Sequence, residues 1–428
     1  MTQEINLPYD LKNKFLLDEI ANSFNEKIVG ETNNKKMIFL SCISKDLPRQ
    51  FRQSAIVSSS SSAGKSNLIN SILEIFSKDV IDHTDFSTSF FMRSNPNLNG
   101  KILKLEQMEK TNDRHQVSLG ILKHQLSEGK MKIGLSERDK DGKWQATDHE
   151  VNGIPVYIST TTNQQIDLET MNRAWLLQLD ESINQSELIK KHTLSEYSKP
   201  KFFDSWNDNV IKNRILVEHY EKYSRTIDNI YLPYSNEINP VIPSNTVEFR
   251  RDLKKILNLT ATISFIHYRN RIHIRDNKGK NIIKDQFGNT EKTYSYSIIS
   301  DIADFNEALV IGQQAIKQTM NKVNESTLDV LQVVKERNNL NDNEGIKLSE
   351  VAKELHLSES RTREKLNQGR EAGLILAKKD GHAYLYFPSD KNIELINSND
   401  IDFTKEDVEK WFKSNFPQDR FELMFPHD

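Results

Sequence analysis

The chain has 428 residues, with 58 Lys or Arg against 61 Asp or Glu and a formal net charge of −3. That length suggests about two to four domains at roughly 100–200 residues each. The bulk charge argues neither for nor against nucleic acid, so any such contact has to come from local patches. No apolar run approaches the roughly 20 residues a bilayer span needs, and the N-terminus lacks the apolar core of a signal peptide. One cysteine, Cys42, excludes an intramolecular disulfide framework and reads as a small buried thiol. Together these point to the cytoplasm, without a membrane partner.

From about residue 10 to 230, strand-like and helix-like stretches alternate, which predicts an α/β layer with a largely parallel sheet. Ala55–Val57 is a short strand that enters the serine run Ser58–Ser62, and Leu68–Phe76 follows with helical spacing. The stretch Ser59-Ser-Ser-Ser-Ala-Gly64-Lys65-Ser66 lies between them. Strand, Gly-Lys-Ser and helix in that order form the context of a phosphate-binding loop, in which backbone N–H groups curl around phosphates at the positive end of a helix. The phosphate-binding set is Ser61, Ser62, Ala63, Gly64, Lys65, Ser66 and Asn67. Lys65 would reach the β- and γ-phosphates, and Ser66 would hold Mg2+ through its hydroxyl, so ATP and Mg2+ are the implied cofactors. Ser59 stands where the first glycine of the motif usually sits. The bland alternative is a serine-rich loop that happens to contain Gly-Lys-Ser.

Such a site needs an acid at the end of a neighbouring strand. Lys101–Leu105 supplies the strand, Glu106 the metal-side acid, and Gln107 stands where a second, water-polarising acid is usual. Glutamine can orient a water but cannot take its proton. Pro155–Ser159 is another apolar strand, ending in Thr160, Thr161 and Thr162; Thr161 or Thr162 is positioned for the γ-phosphate or the water. Arg173 precedes the apolar run Ala174–Leu179 and is the candidate for neutralising transition-state charge in an adjacent subunit; a surface ion pair is its alternative. Between the two strands, Lys130–Val151 reads as a hairpin turning at Asp141-Gly142. Arg138, Lys140 and Lys143 cluster at its tip beside Trp144, a combination that can hold a nucleic-acid backbone and stack on a base. Lysines that only aid solubility are the other reading.

The prolines of Leu232-Pro233, Asn239-Pro240 and Ile242-Pro243 read as a linker into helices over Arg250–Tyr268 and Ile302–Lys322, with a polar hairpin or loop over Asn270–Thr293. Helices then follow over Thr327–Lys335, Leu348–Leu355 and Arg361–Ala372, ahead of a hairpin turning at Lys379-Asp380-Gly381. That pattern predicts a winged helix, with Arg361, Arg363 and Lys365 on the helix that would meet DNA. A protein-docking role is the alternative, because Glu359, Glu364 and Glu371 share that helix. In the tail, Thr404–Asn415 reads as a helix capped by Thr404, with Asp407 at the capping-box distance. The expected divisions are 1–230, a P-loop ATPase domain; 231–323, a helical domain; 324–390, a winged helix; and 391–428, a helical tail.

The order of these motifs, over about Ile28–Pro388, resembles the AAA+-type P-loop ATPases of bacteriophages and mobile elements that accompany or replace primase-helicase functions. The residues that carry the resemblance are Val29-Gly30-Glu31, Ser61-Ser-Ala-Gly-Lys-Ser66, Leu126-Ser-Glu-Gly129, Leu179-Asp-Glu-Ser182, Arg250-Arg251-Asp252 and the pair His267 and Arg271. It implies a three-layer α/β P-loop domain of the ASCE, AAA+-like kind, followed by a helical domain and a winged helix. It further implies a DNA-dependent ATPase, a replication helicase or its loader, acting as a homo-oligomeric ring alongside proteins such as a primase. Ser59 and Gln107 depart from the family pattern and bear on turnover. The rival reading is an ATP-switched DNA-binding initiator or regulator with little hydrolysis; a defence-system ATPase is a third.

Overall fold

The structure, a computed structural model, describes residues 7–59, 64–83, 97–105, 128–138, 144–161, 174–198, 205–239, 247–284, 290–321, 325–340, 344–371, 374–380, 383–389 and 401–426. It divides into a larger unit of Met1–Ile242, Leu253–Ile311 and Ser398–Asp428, and a smaller one of Pro243–Asp252 and Gly312–Asn397.

The larger unit opens with α1 (Leu16–Ser23) and α2 (Thr32–Ile43). α2 is buried continuously from Asn34 to Ile43, which explains why its sequence carries no one-sided apolar stripe. Strand β1 (Ser54–Ser58) is buried throughout, and α3 (Lys65–Leu73) follows, prolonged by a 3-10 turn to Phe76. Next come β2 (Val80–His83), β3 (Ile102–Leu105), the antiparallel pair β4 (Lys130–Arg138) and β5 (Trp144–Asn152), β6 (Val156–Thr161) and β7 (Ala174–Gln178). Five of these strands form one sheet in the order β2-β3-β6-β1-β7, and every pairing in it is parallel. The short apolar runs of β1, β3 and β6 are what strands covered on both faces require. Parallel pairing gathers the carboxyl ends of all five at one edge, the edge at which open α/β sheets take their ligands. One expectation changes in detail: β6 separates β3 from β1, so the strand that leads to Glu106 is the second neighbour of the phosphate-loop strand, roughly 10 Å away at about 4.8 Å per strand.

The chain continues through α4 (Ile183–Ser198), α5 (Ser205–Ser224), β8 (Ile227–Tyr231), α6 (Val247–Ile266), β9 (Ile272–Lys284), β10 (Thr290–Ile299) and α7 (Ile302–Asn321). β8, β9 and β10 build a second sheet, completed by a C-terminal strand, β14 (Phe421–Met424), in the order β14-β9-β10-β8. The stretch expected as a linker is packed rather than free. Tyr234 is fully buried, its hydroxyl meeting Ser300 Oγ at 2.7 Å and Asp301 O at 3.1 Å. Pro233 shapes a 3-10 turn there, since a fixed φ suits a turn whether or not it is exposed. Helix α6 buries Thr260, Thr262 and Ser264, each of which donates to the carbonyl four residues back at 2.9 Å, so these polar groups are satisfied inside the core.

The smaller unit holds α8 (Glu325–Leu340), β11 (Ile346–Lys347), α9 (Leu348–Glu354), α10 (Glu359–Glu371), β12 (Ile375–Asp380) and β13 (Ala383–Pro388). Its three strands pair in the order β11-β13-β12, and Val330, Val334, Ile346, Val351, Leu366 and Tyr386 form its core. Gly369 lets α10 lie against β12: a Cβ there would come within 2.6 Å of Ile375 Cδ1. The tail returns to the larger unit. Helix α11 (Lys405–Asn415) starts with the expected capping box, Asp407 N donating to Thr404 Oγ1 at 3.3 Å and Thr404 N to Asp407 Oδ2 at 3.0 Å. Phe412 and Val408 of this helix then pack with Ile274 and Ile299 of the second sheet.

Candidate functional site

At the carboxyl edge of the parallel sheet, β1 ends at Ser58, and α3 begins at Lys65 after Gly64. Gly64 holds φ at 92°, a conformation that a side chain would strain. Among the described residues a Cβ at Gly64 would meet nothing within 4 Å, so the glycine is required there by its backbone angle. α3 makes its first return hydrogen bond from Leu68 N to Gly64 O, 3.0 Å. The N–H groups of Lys65, Ser66 and Asn67 therefore precede the intrahelical ladder, at the end of the helix that attracts anions. Ser66 and Gly64 are exposed and Lys65 is half-buried. This open turn fits a phosphate chain with a Mg2+ ion on the Ser66 hydroxyl.

Lys65 Nζ donates to Ser59 O at 2.8 Å and to Ser59 Oγ at 3.2 Å. The serine that replaces the expected glycine thus supplies a second oxygen to the lysine, an interaction the sequence pattern did not reveal. Asn67, expected among the phosphate ligands, uses its side-chain amide to hold Lys27 O at 2.7 Å; its backbone N–H stays in the first turn.

Both neighbours of β1 end at the same level. On one side Thr161 stands in register with Ser58, is 1% exposed, and accepts from Ser59 N at 3.5 Å. Thr161 is therefore beside Ser58 and Ser59, where the chain leaves β1; Thr162 lies outside the described residues. On the other side Gln178 pairs with Ser58, and Leu179 N donates to Ser58 O at 3.4 Å.

A second loop joins this edge, one whose contacts sequence reasoning did not anticipate although it singled out Val29-Gly30-Glu31. Glu31 caps α2 in a left-handed conformation, φ 56° and ψ 31°, rare for a residue with a Cβ. Its carboxylate accepts from Asp180 N at 2.8 Å and from Asn34 Nδ2 at 2.6 Å, while Asn34 also donates to Gln178 O at 2.7 Å. Burial raises the Glu31 carboxyl above its ordinary range, with the hydrogen bonds from Asp180 and Asn34 opposing the shift. Gln185 of α4 donates to Val29 O at 2.7 Å and packs so closely on Gly30 that a Cβ there would lie 2.5 Å from its Oε1. The loop is thereby tied to the exit of β7 and to α4, and Lys27 just before it is held by Asn67 of α3.

Ser61, Ser62, Ala63, Glu106, Gln107 and Arg173 lie outside the described residues, as do Lys140 and Lys143. Strand β3 runs towards Glu106 at the same edge, its Leu105 paired with Ser159 of β6, which in turn pairs with Ile56. The strand that follows Arg173 begins at the opposite edge, with Ala174 in register with Ser54. The β4–β5 hairpin forms as expected, closing with Arg138 opposite Trp144. On α10, Arg361 and Arg363 are exposed, but Lys365 is 5% exposed and its Nζ lies 3.4 Å from Gln368 Oε1. The helical repeat explains the difference: Thr362, Lys365, Leu366 and Gly369 line the inward face. The expected DNA contact at Lys365 is accordingly corrected to a buried position.

No protein-family model matches the chain, and no curated protein matches its sequence. Among solved structures, a full-length MCM homolog from Methanopyrus kandleri is similar over 72% of this chain at 12% identity and a TM-score of 0.37; the chain spans 60% of that protein's length. A proposed ATPase from Cytophaga hutchinsonii is similar over 72% of this chain and 94% of its own, at 11% identity and a TM-score of 0.36. A RuvB variant from Thermotoga maritima covers 89% of this chain and 96% of its own, at 10% identity and a TM-score of 0.29. At these values the functional reading rests on the chain's own residues.

Proposed function

We propose that the chain is an ATP-binding P-loop ATPase of the AAA+ type that works on DNA. The observation that carries this reading is the β1–Gly64–α3 turn, an open helix start with Lys65 and Ser66 at the carboxyl edge of a parallel sheet. Backbone N–H groups of Gly64 to Asn67 would take phosphate oxygens, Lys65 would exchange Ser59 for the β- and γ-phosphates, and Ser66 with Glu106 would hold Mg2+. The magnesium would neutralise phosphate charge. Thr161 would stand beside the terminal phosphate and Gln107 would orient water.

The finer reading is a replication motor of a phage or mobile element, a helicase or helicase loader, assembled as a homo-oligomeric ring. The register of β7 supports the ring. Ala174 lies at the edge of the sheet away from Lys65, and Arg173, which precedes it in sequence, would serve a neighbouring subunit's site. The three helices and three strands of the smaller unit support a winged helix, with exposed Arg361 and Arg363 on α10 for phosphates or base edges. With a net charge of −3, any DNA contact has to come through such local patches.

The second reading, an ATP-switched initiator or regulator with little hydrolysis, is favoured by Gln107, which can orient a water but cannot take its proton. Steady-state ATP turnover, measured alone and with single-stranded or duplex DNA, separates the two. Turnover that rises with DNA is the expected result. Tight ATP binding without turnover under any of these conditions would select the switch, and absence of ATP binding would remove both.

A further inference from the structure

The second sheet carries an element that neither the nucleotide site nor α10 accounts for. β9 and β10 pair along their whole length, from Ile272 with Ile299 to Lys284 with Thr290. Their flanking strands stop much sooner: β8 pairs with 296–299 alone of β10's residues, and β14 pairs only with residues 273–276. Residues 277–284 and 290–294 therefore continue as a two-stranded ribbon beyond the four-stranded sheet.

The ribbon departs from the sheet at a braced bulge. The register passes from Ser295 with Asp276 to Tyr294 with Lys280, leaving residues 277–279 as the extra stretch; bulges of this kind bend and re-aim a strand. Asp276 is 8% exposed and accepts from Arg420 Nη2 at 2.6 Å and from Lys278 N at 2.9 Å, and Asn277 N donates to Arg420 O at 3.0 Å. The exit direction is thus set by an ion pair with the C-terminal segment.

The charge on this ribbon stands out. Residues 277–294 contain Lys278, Lys280, Lys284 and Lys292 against Asp285 and Glu291, a net +2 in a chain of net −3. The β4–β5 hairpin over 130–152, expected from its tip to touch DNA, carries five basic and five acidic residues and is neutral. Where the ribbon begins, Tyr294 is 45% exposed, with the Arg275 guanidinium, itself paired with Glu422, 5.0 Å from its ring centre and Lys280 opposite it in the ladder. An exposed aromatic among cations suits a base that stacks and a backbone that is neutralised, and a two-stranded ribbon is narrow enough for a major groove.

We propose that the distal β9–β10 ribbon is a nucleic-acid contact, with Lys278 and Lys280 meeting backbone phosphates and Tyr294 offering a stacking surface. The proposal rests on the reading that the protein works on DNA, and adds to it a site separate from α10. The test uses the full chain, with fluorescent oligothymidylate and a fluorescent duplex as probes, followed by anisotropy at several KCl concentrations. The Lys278→Gln, Lys280→Gln double variant should bind more weakly. Its slope of log affinity against log salt should be flatter by about 0.7 per lost contact on the single strand and about 0.9 on the duplex. Tyr294→Ala should weaken the single strand about fivefold or more and the duplex little if the ring stacks on a base. ATP affinity should stay at the parent value in all variants, which reports that they are folded. If the parent binds DNA and the lysine variant matches it in affinity and slope, the ribbon has no such role and the DNA reading stands on α10. If the parent binds neither probe at any salt concentration, the DNA reading itself fails and the ribbon's role fails with it.

Discussion

Two lysines at opposite edges of one parallel sheet are handled in opposite ways. Lys45 lies where β2 and β3 begin, 1% exposed, with Asp46 at 2.6 Å, Asp79 at 2.9 Å and Glu221 at 3.0 Å. Burial works against its charge, but the three carboxylates more than offset this and hold the ammonium above its ordinary value. Lys65 lies where β1 ends, half-buried, donating to the neutral oxygens of Ser59 beside an open helix start. The first lysine joins α5 to the starts of the strands and is saturated by its partners. The second donates to the Ser59 oxygens, which a phosphate can replace. A buried cation ringed by carboxylates is structural, and a cation on exchangeable dipoles at a helix N-terminus is a site.

That contrast breaks or sharpens through stability on one side and ligand binding on the other. Lys45→Ala leaves Asp46, Asp79 and Glu221 facing one another with Lys45's charge gone and Lys101 still on Asp79 at 3.0 Å, so urea unfolding should show a loss of about 3–5 kcal/mol; a loss below about 1 kcal/mol would mean that the cluster relaxes into water and that the contrast is overstated. A pH scan tests a second closed network. Burial holds His273 down to about 4, opposed by the Arg271 backbone and helped by the Arg269 charge, and its Nε2 lies 2.8 Å from Tyr223 Oη. The ring is neutral in the folded chain over the window in which the unfolded chain, near 6.5, takes up a proton. The unfolded state therefore binds more protons, and stability should fall by up to about 3 kcal/mol as pH drops from about 6.5 to about 4. His273→Gln should show a shallower fall across that window, and equal slopes in parent and variant would remove the imidazole from the account. The smallest effect belongs to the open site: Gly64→Ala should cost about 1–2 kcal/mol of stability without nucleotide, from its positive φ alone, while lowering ATP affinity by a larger factor. Unchanged stability would show that the loop reshapes around the new side chain.

Much of this was legible in the residues, in proportion to how local the cause is. A strand, Gly-Lys-Ser and a helix are contiguous, so β1, Gly64 and α3 follow from the sequence, as does the Thr404–Asp407 capping box. The Asp141-Gly142 signal likewise predicted the β4–β5 hairpin. Features set by distant partners were not legible. β11 has two residues and exists because β13 pairs with it, and β14 exists because β9 offers an edge. Tyr234 sits among prolines that read as a linker, yet Ser300 and Asp301 bury its hydroxyl. Lys365 was grouped with Arg361 and Arg363 by charge, whereas the helical repeat sets it inward. At the site itself, the hold of Ser59 on Lys65 and of Glu31 on Asp180 depends on how loops fold back, which no spacing encodes.

The central claim is that the open turn at Gly64 to Asn67 binds nucleotide triphosphate through Lys65. Titration of the parent and of Lys65→Ala with ATP and Mg2+ by calorimetry tests it most directly, with urea unfolding of both proteins in the absence of nucleotide as a companion. The account predicts saturable binding by the parent, binding lost or strongly weakened in the variant, and unfolding free energies that differ by no more than about 3 kcal/mol, the order expected for the loss of two hydrogen bonds to Ser59. Equal ATP affinity in the two proteins would contradict the assignment of this turn as the nucleotide site.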